Sequence, residues 1–519
     1  MPGRWLWLVL VGLAASAAAD PIDRRALVTR HNPRVTAVDP WAPLTVGNGG
    51  FAFTVDVTGL QTFGDTYYAG GIPLETLARW AWHTEPNPDG HRLADANVPF
   101  TAHGRTVEYP TDMASEAGQW LRRNPHDVPL GTLGLSLLTS GGDELQPLDL
   151  RAVSQLLDLW SGVVTSRYTV DGEPVVVTTV AHPRFDAVAV RIESALVARG
   201  RLGVRLAFPR GHDLSRKNTP ALDWSRPESH ETRVRRLGNG GVRLHRQIDA
   251  TRYAVGLAWG PAADWSQTAP HSFRLLPAGG ASHLEVVLAF SPSALPETLP
   301  SVDETLAAST ESWPAFWSGG AAVDFSGSRE PRAAELERRV VLSQYLTAVQ
   351  MAGDVPPQET GLTCSSWYGK HHTEMVWWHV AHFALWGREA FVENALEWYQ
   401  RTLPGARQIA VSRGLKGARW PKMVGPEGRE SPGGNPLIVW NQPHPIALAE
   451  LLYLAESSRE TLERYEDLVL ETAEGLSSML HWVEAEQRYV LGPPLWISQE
   501  IHDPRKSMNP SFELSYWGH

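Results

Sequence analysis

One cysteine, Cys364, is the only thiol among 519 residues. A lone cysteine closes no intrachain disulfide, so a disulfide-stapled module is excluded and stability must come from core size. Nothing around Cys364 resembles a cysteine-protease signature, which leaves it as a packed thiol. Blocks of basic residues are missing as well. The 57 acidic residues outnumber the 46 basic ones, and the net charge is −11. That balance argues against nucleic acid or an anionic membrane surface as a partner. Beyond the N-terminus, no segment is apolar enough to span a bilayer.

The first 19 residues carry the main apolar run. Arg4 supplies a positive start, residues 5–13 a short hydrophobic core, and Ala17, Ala18 and Ala19 a small-residue cleavage site before Asp20. This is the pattern of a signal peptide. The run is shorter than the roughly 20 residues of a membrane-spanning helix, and an uncleaved anchor is the rival reading. The expectation is a secreted or periplasmic protein with no membrane attachment after cleavage near Ala19.

What the chain has in excess is tryptophan: 22 copies against 13 Phe and 12 Tyr. Flat indole faces stack on the C–H faces of sugar rings, and their N–H groups donate to hydroxyls. The plainer use of an indole is to fill a large core. Length sets the prior at two large domains. The apolar fraction of 43% and charged fraction of 20% are those of an ordinary globular protein.

Residues 20–300 read as a β-sandwich domain. After the turn Gly47-Asn48-Gly49-Gly50, Phe51, Phe53, Val55 and Val57 alternate with smaller or polar residues, the period of a half-buried strand. Similar runs lie at 163–170, 175–180, 187–192, 203–208, 253–259 and 283–290. Many strands with short connections imply antiparallel sheets packed face to face. Residues 301–330 read as a linker with one short helix, and from Pro331 the pattern turns helical. Further helices are expected at about 372–386, 389–403, 404–413, 444–457 and 459–483, and another begins at 512–517. The loops between them hold Gly, Pro, Trp and His, and one end of a helical array is where a site is built.

Four of those loops carry polar groups beside indoles. The first contains Trp367, Lys370, His371, His372 and Glu374 and runs into a helix with His379 and His382. A zinc site is the rival there, but the spacing is not H-E-x-x-H and no carboxylate completes a set. The second contains Lys416, Arg419 and Trp420, and the third Trp440, Gln442 and His444. Each is weak alone; a toroid of helical hairpins would bring them together. The fourth contains Glu500 in a Pro-framed loop with Trp496, Ile497 and Ile501. Glycoside hydrolysis needs a carboxylic acid that keeps its proton, and burial beside apolar groups supplies that. A solvated loop glutamate is the alternative for Glu500.

These residues resemble glycoside hydrolase family 65 and its clan, which includes maltose, kojibiose and trehalose phosphorylases and acid trehalases. Tyr399–Arg407 is similar to the family's Y-R-x-T-L-x-x-A-R helix, and Leu415–Pro421 to Y-K-G-A-x-x-P-W. The stretch from Gln442 to Tyr453 looks like H-I-x-x-D-I-A-Y-A, with His444 at the histidine. The stretch from Pro493 to Phe512 resembles G-P-D-E-Y-H followed by N-N-A-Y, which puts Glu500 on the family's general acid and Asn509 near its asparagine. The resemblance covers about 360–519 well and the N-terminal domain loosely. It departs at His372 and Gln499, where the family has aspartates.

The resemblance implies an N-terminal β-supersandwich followed by an (α/α)₆ barrel over 331–519, of which this chain spans a part. It implies a hydrolase that cleaves an α-glycosidic bond in a di- or oligosaccharide with inversion, Glu500 being the general acid. Trp367, His372, Glu374, Lys416, Trp420, Trp440, Gln442, His444 and Asn509 are the expected sugar-binding residues. The partner is then a carbohydrate, and neither a cofactor nor a metal is required. A disaccharide phosphorylase of the same fold and a non-catalytic carbohydrate-binding relative are the alternatives.

Overall fold

Alternation of buried and accessible residues shapes the first domain. In Val163–Val170, the side chains of Val164, Ser166, Tyr168 and Val170 are buried and those between them are not. The computed structural model describes residues 22–518 apart from 213–217, 219–221 and 239; the leader read over residues 1–19 lies outside them. Nine strands form one antiparallel sheet. It runs from Arg34–Val35 through Arg151–Asp158, Val163–Val170, Glu173–Ala181, Ala187–Glu193, His283–Ser291, Thr251–Gly260 and Gly241–Ile248 to Glu231–Arg236. A second sheet orders Ala263–Ala269, Ser272–Pro277, Leu202–Ala207 and Thr132–Leu137. Leu133, Leu135, Val204, Leu206 and Leu275 of the second sheet share one apolar core with Val164, Val190, Val255 and Leu288 of the first. Burying one face of each sheet against the other is what the strand alternation requires.

The segment read as a linker is docked on this domain. Its helix α1 (Val302–Ser318) starts at a capping box in which Ser301 and Glu304 exchange bonds. Trp317 donates from its indole to the Leu159 carbonyl at 2.7 Å, and the Trp313 ring packs, tilted, against Tyr345 of the next helix, α2 (Ala333–Gln350). Helix α2 begins two residues past Pro331.

The helical domain continues with α3 (Val376–Leu385), α4 (Ala390–Ser412), α5 (His444–Ala455), α6 (Arg459–Met479) and α7 (Ser511–Trp517). Short connections over 386–389 and 456–458 make hairpins of α3/α4 and α5/α6. The hairpins share a core of Phe383, Leu396, Trp398, Tyr399, Leu448, Leu452, Tyr465 and Leu468.

Two sequence expectations fail here. The helices expected at 389–403 and 404–413 are one helix, α4, which runs through Pro404. The ring costs a ladder bond, but Trp398, Tyr399, Leu403, Ala406 and Ala410 are all buried on either side of it. Packing outweighs the local break. The helix expected over 459–483 stops at Met479, because Leu480–Val483 pairs with Arg488–Leu491 as a β-hairpin.

One element of the first domain reaches onto the second. The hairpin Asn97–Ala102/Arg105–Pro110 packs Phe100 and Tyr109 against Leu437 and Trp496. Its Arg105 donates to the Arg413 carbonyl at 3.1 Å, and Arg413 and Arg505 lie over the Tyr109 and Phe100 rings.

Candidate active site

The site is assembled by a short strand pair. His371–His372 lies antiparallel to Met423–Val424. Next to this pair, the Thr373 amide donates to the Lys422 carbonyl at 2.8 Å, and the Thr373 hydroxyl donates to the Pro421 carbonyl at 2.8 Å. Asn441 donates to that same hydroxyl at 2.8 Å. These bonds tie the start of α3 to the loop after α4 and set Glu374 beside Lys422.

A second loop supplies Glu500. Its base is closed by Asn509, whose side-chain oxygen accepts from the Leu491 amide at 2.8 Å while its own amide donates to the Leu491 carbonyl at 2.9 Å. Buried Glu513 accepts from the Ser498 amide at 2.7 Å. The Trp496 amide donates to the Leu437 carbonyl at 2.9 Å, and the Trp496 ring lies against Gly434, where a methyl group would collide with it. Position 434 is glycine because of that close approach.

Between the two loops is a cavity of about 460 Å³, its wall including Arg122, Glu359, Trp367, Tyr368, His372, Lys422, Asn435, Trp496 and Glu500. Trp367, Tyr368 and Glu500 all have positive φ, at 51°, 62° and 57°. Non-glycine residues in that region cost of order 1–3 kcal/mol each, and such strain concentrates at functional sites.

Lys422 is the centre of the electrostatics. Its ammonium lies 2.5 Å from Oε1 of Glu500 and 3.2 Å from Oε1 of Glu374. Burial works against its charge, but the two carboxylates prevail and hold its proton more tightly than usual. Glu374 is 4% exposed, and burial, opposed by Lys422, pushes its carboxyl up to about 7. Its second oxygen is buried with no hydrogen-bond partner among the described residues. His372 lies 4.0 Å from Glu374 and 3.7 Å from Glu359. Burial, reinforced by Lys422 and Arg122, holds it far below the usual histidine range, so it is a neutral imidazole. Glu359 accepts from the Trp367 indole at 2.8 Å, and Arg122 sits 5.8 Å from the centre of the Trp367 ring.

Of the residues expected from sequence, Glu500, Trp367 and His372 meet on the cavity wall. The burial expected around Glu500 is absent: its side chain is 37% exposed and ion-paired, and Ile501 is 80% exposed. The reason is that the loop turns at Ile497–Glu500 and directs Ile501 outward. The buried carboxyl is Glu374, one layer behind Lys422.

The other expected residues are structural in their contacts. Gln442 is buried and bonds the Trp420 backbone on both sides of its amide. Trp420 is buried against Tyr399 and donates to Thr472 at 3.0 Å. His444 is buried between the Glu374 carbonyl and the Tyr516 hydroxyl. Trp440 packs on His444 and Phe512, Asn509 closes its loop, and Lys416 is exposed on the far side of the Trp420 loop beside Ser478. Lys416 therefore lies off the cavity wall, because the turn at Gly417 packs on α6 and carries it to the surface.

Sequence reasoning missed Lys422, Arg122 and Glu359; Tyr368 lies in the first of the loops singled out but was not among the expected sugar-binding residues. Lys422 directly follows the Trp420-Pro421 motif and was within reach of it. Arg122 comes from the first domain and had no local signal. Cys364 is buried, and burial followed by the charge of Glu75 pushes its thiol up to about 12.

No family model and no curated protein matches this sequence. Among solved structures, a human-microbiome protein provisionally named a kojibiose phosphorylase is similar over 89% of this chain, at 11% identity and a TM-score of 0.56. This chain spans 62% of that protein's length. A bacterial glucoamylase complexed with acarbose matches 85% of this chain and 59% of its own, at 10% identity and a TM-score of 0.41. The first likeness is one of fold alone.

Proposed function

We propose that the cavity between Trp367, Trp496 and Glu500 binds a saccharide and that the protein cleaves an α-glycosidic bond there, with Glu500 donating the proton to the leaving oxygen. One observation carries this reading. A carboxylate, Glu500, lies on the wall of a cavity that is also lined by two indoles from different loops, Trp367 and Trp496, and indoles are the side chains that stack on sugar rings. The fold likeness supports it, and we infer that the helical hairpins belong to an (α/α)₆ barrel. Glu359, a second carboxylate on the same wall, is the candidate base for water in an inverting reaction. Lys422 occupies Oε1 of Glu500, so it has to leave before that carboxyl can take a proton from water and pass it to the leaving oxygen; Glu374, 3.2 Å from that ammonium, is the group that can take the ammonium over. The leader expected at residues 1–19 favours hydrolysis over phosphorolysis, since a sugar phosphate is useful inside a cell.

Phosphorolysis is the second reading, and Arg122 favours it. Its guanidinium lines the cavity and has no carboxylate within salt-bridge distance among the described residues. With Lys422 it would suit a phosphate. Assays of α-linked disaccharides with and without phosphate separate the two. Sugar binding with no turnover under either condition would leave a carbohydrate-binding protein instead.

A further inference from the structure

Lys422 is 13% exposed and has the two carboxylates of Glu374 and Glu500 as its ion-pair partners. One is buried behind it and the other faces the cavity. A single ammonium cannot be held at full strength by both, and each carboxylate in its ionised form weakens the other's hold. We propose that Glu374 is a positioning residue for Glu500, acting through the Lys422 ammonium: when the buried carboxyl is ionised it draws Lys422 inward and loosens it from the cavity carboxylate, and when it is protonated Lys422 stays on Glu500. The proposal rests on the reading of Glu500 as the reacting carboxyl, and it adds a control on when that carboxyl is free to take a proton.

The surroundings make the coupling specific. Glu374 faces Lys422, with His372 at 4.0 Å and Glu359 as its other charged neighbour. Glu500 faces Lys422, with Arg122 as a more distant cation. His372 is neutral, so it adds no competing charge at physiological pH. The buried carboxyl titrates near neutral pH, where its switch in charge falls within the working range of a protein rather than outside it. The Thr373 bonds to Pro421 and Lys422 fix the backbone of both partners, so the ammonium moves by rotation of its own side chain alone.

Carboxyl-detected NMR of the whole protein labelled at the glutamate side-chain carboxyl carbon tests this without requiring turnover. The Glu374 resonance is assigned by its loss in Glu374→Gln. In Glu500→Gln its titration midpoint is expected to fall by about one pH unit, because Lys422 is no longer shared. In Lys422→Met it is expected to rise by a similar amount, and Lys422→Arg, which keeps the cation, is expected to return it toward the wild-type value. A Glu374 midpoint that stays put or rises in Glu500→Gln overturns the proposal. Glu500 is partly exposed, so that variant is expected to fold. Failure of the hydrolase reading shows separately, as turnover that survives in Glu500→Gln.

Discussion

The Lys422 ammonium lies 3.2 Å from Oε1 of Glu374, a carboxyl sealed behind it and pushed by burial to about 7. The two residues belong to different loops of the helical domain, and the backbone bonds of Thr373 to Pro421 and Lys422 bring them together. The same ammonium reaches forward to Glu500. A cavity carboxylate is thereby connected to a buried one through one cation.

Replacing the cavity carboxylate by its amide removes the proton donor and keeps the shape. Glu500→Gln is expected to lower turnover of an α-linked disaccharide by about 10²–10⁴-fold, the usual contribution of a general acid, with sugar affinity retained. Release of reducing sugar and calorimetric titration measure the two halves. Undiminished turnover would remove Glu500 from the reaction.

Glu374 makes stability depend on pH. Its folded-state value of about 7 lies above the ordinary 4.5. It therefore stays protonated in the native state while the unfolded chain has already ionised. Its stabilising contribution is complete below about 4.5 and is lost as pH rises through about 7. Across that window the wild type is expected to lose up to about 3 kcal/mol relative to Glu374→Gln. Denaturant midpoints of both proteins at pH 5 and pH 8 check this, and parallel pH dependence would contradict it.

The indoles on the cavity wall are expected to carry sugar affinity. Trp367→Ala and Trp496→Ala should each weaken binding by about 5- to 10-fold, as the loss of one ring–sugar face predicts. Trp420→Ala, in the core, should instead cost about 3–5 kcal/mol of stability. Binding isotherms beside unfolding curves separate the two kinds of tryptophan.

Beneath the hairpin that spans the domains, Arg413 pairs with Glu430, both almost fully buried. Glu430→Ala leaves a buried guanidinium without its partner and is expected to destabilise by about 3–5 kcal/mol. The Arg105 contact to the Arg413 carbonyl places this loss at the domain junction. Chemical unfolding followed by tryptophan fluorescence would show it, and an unchanged midpoint would mean that water replaces the carboxylate.

Strands were legible because alternation is local: Val163–Val170 has the same bounds in the sequence reading and in the fold. Helix existence was legible too, but Pro404 misled, since a ring that breaks an isolated helix is tolerated where both flanks are buried. For the site, Trp367, His372 and Glu500 were found through residue type beside indoles. Trp420, Gln442 and His444 share that local look, yet the fold uses them to pack and to satisfy backbone groups.

The sequence by itself determined a β-rich first part, an α-rich second part, the lack of any disulfide closed within these 519 residues and the loops from which a site is drawn. Each of these follows from composition or from a short period along the chain. Only the tertiary structure decided which carboxyl is buried, which tryptophans face the cavity, and that Lys422 and Arg122 belong there. Burial and charge pairing depend on segments that meet in space, such as Thr373 with Lys422, and a linear pattern holds no record of those meetings.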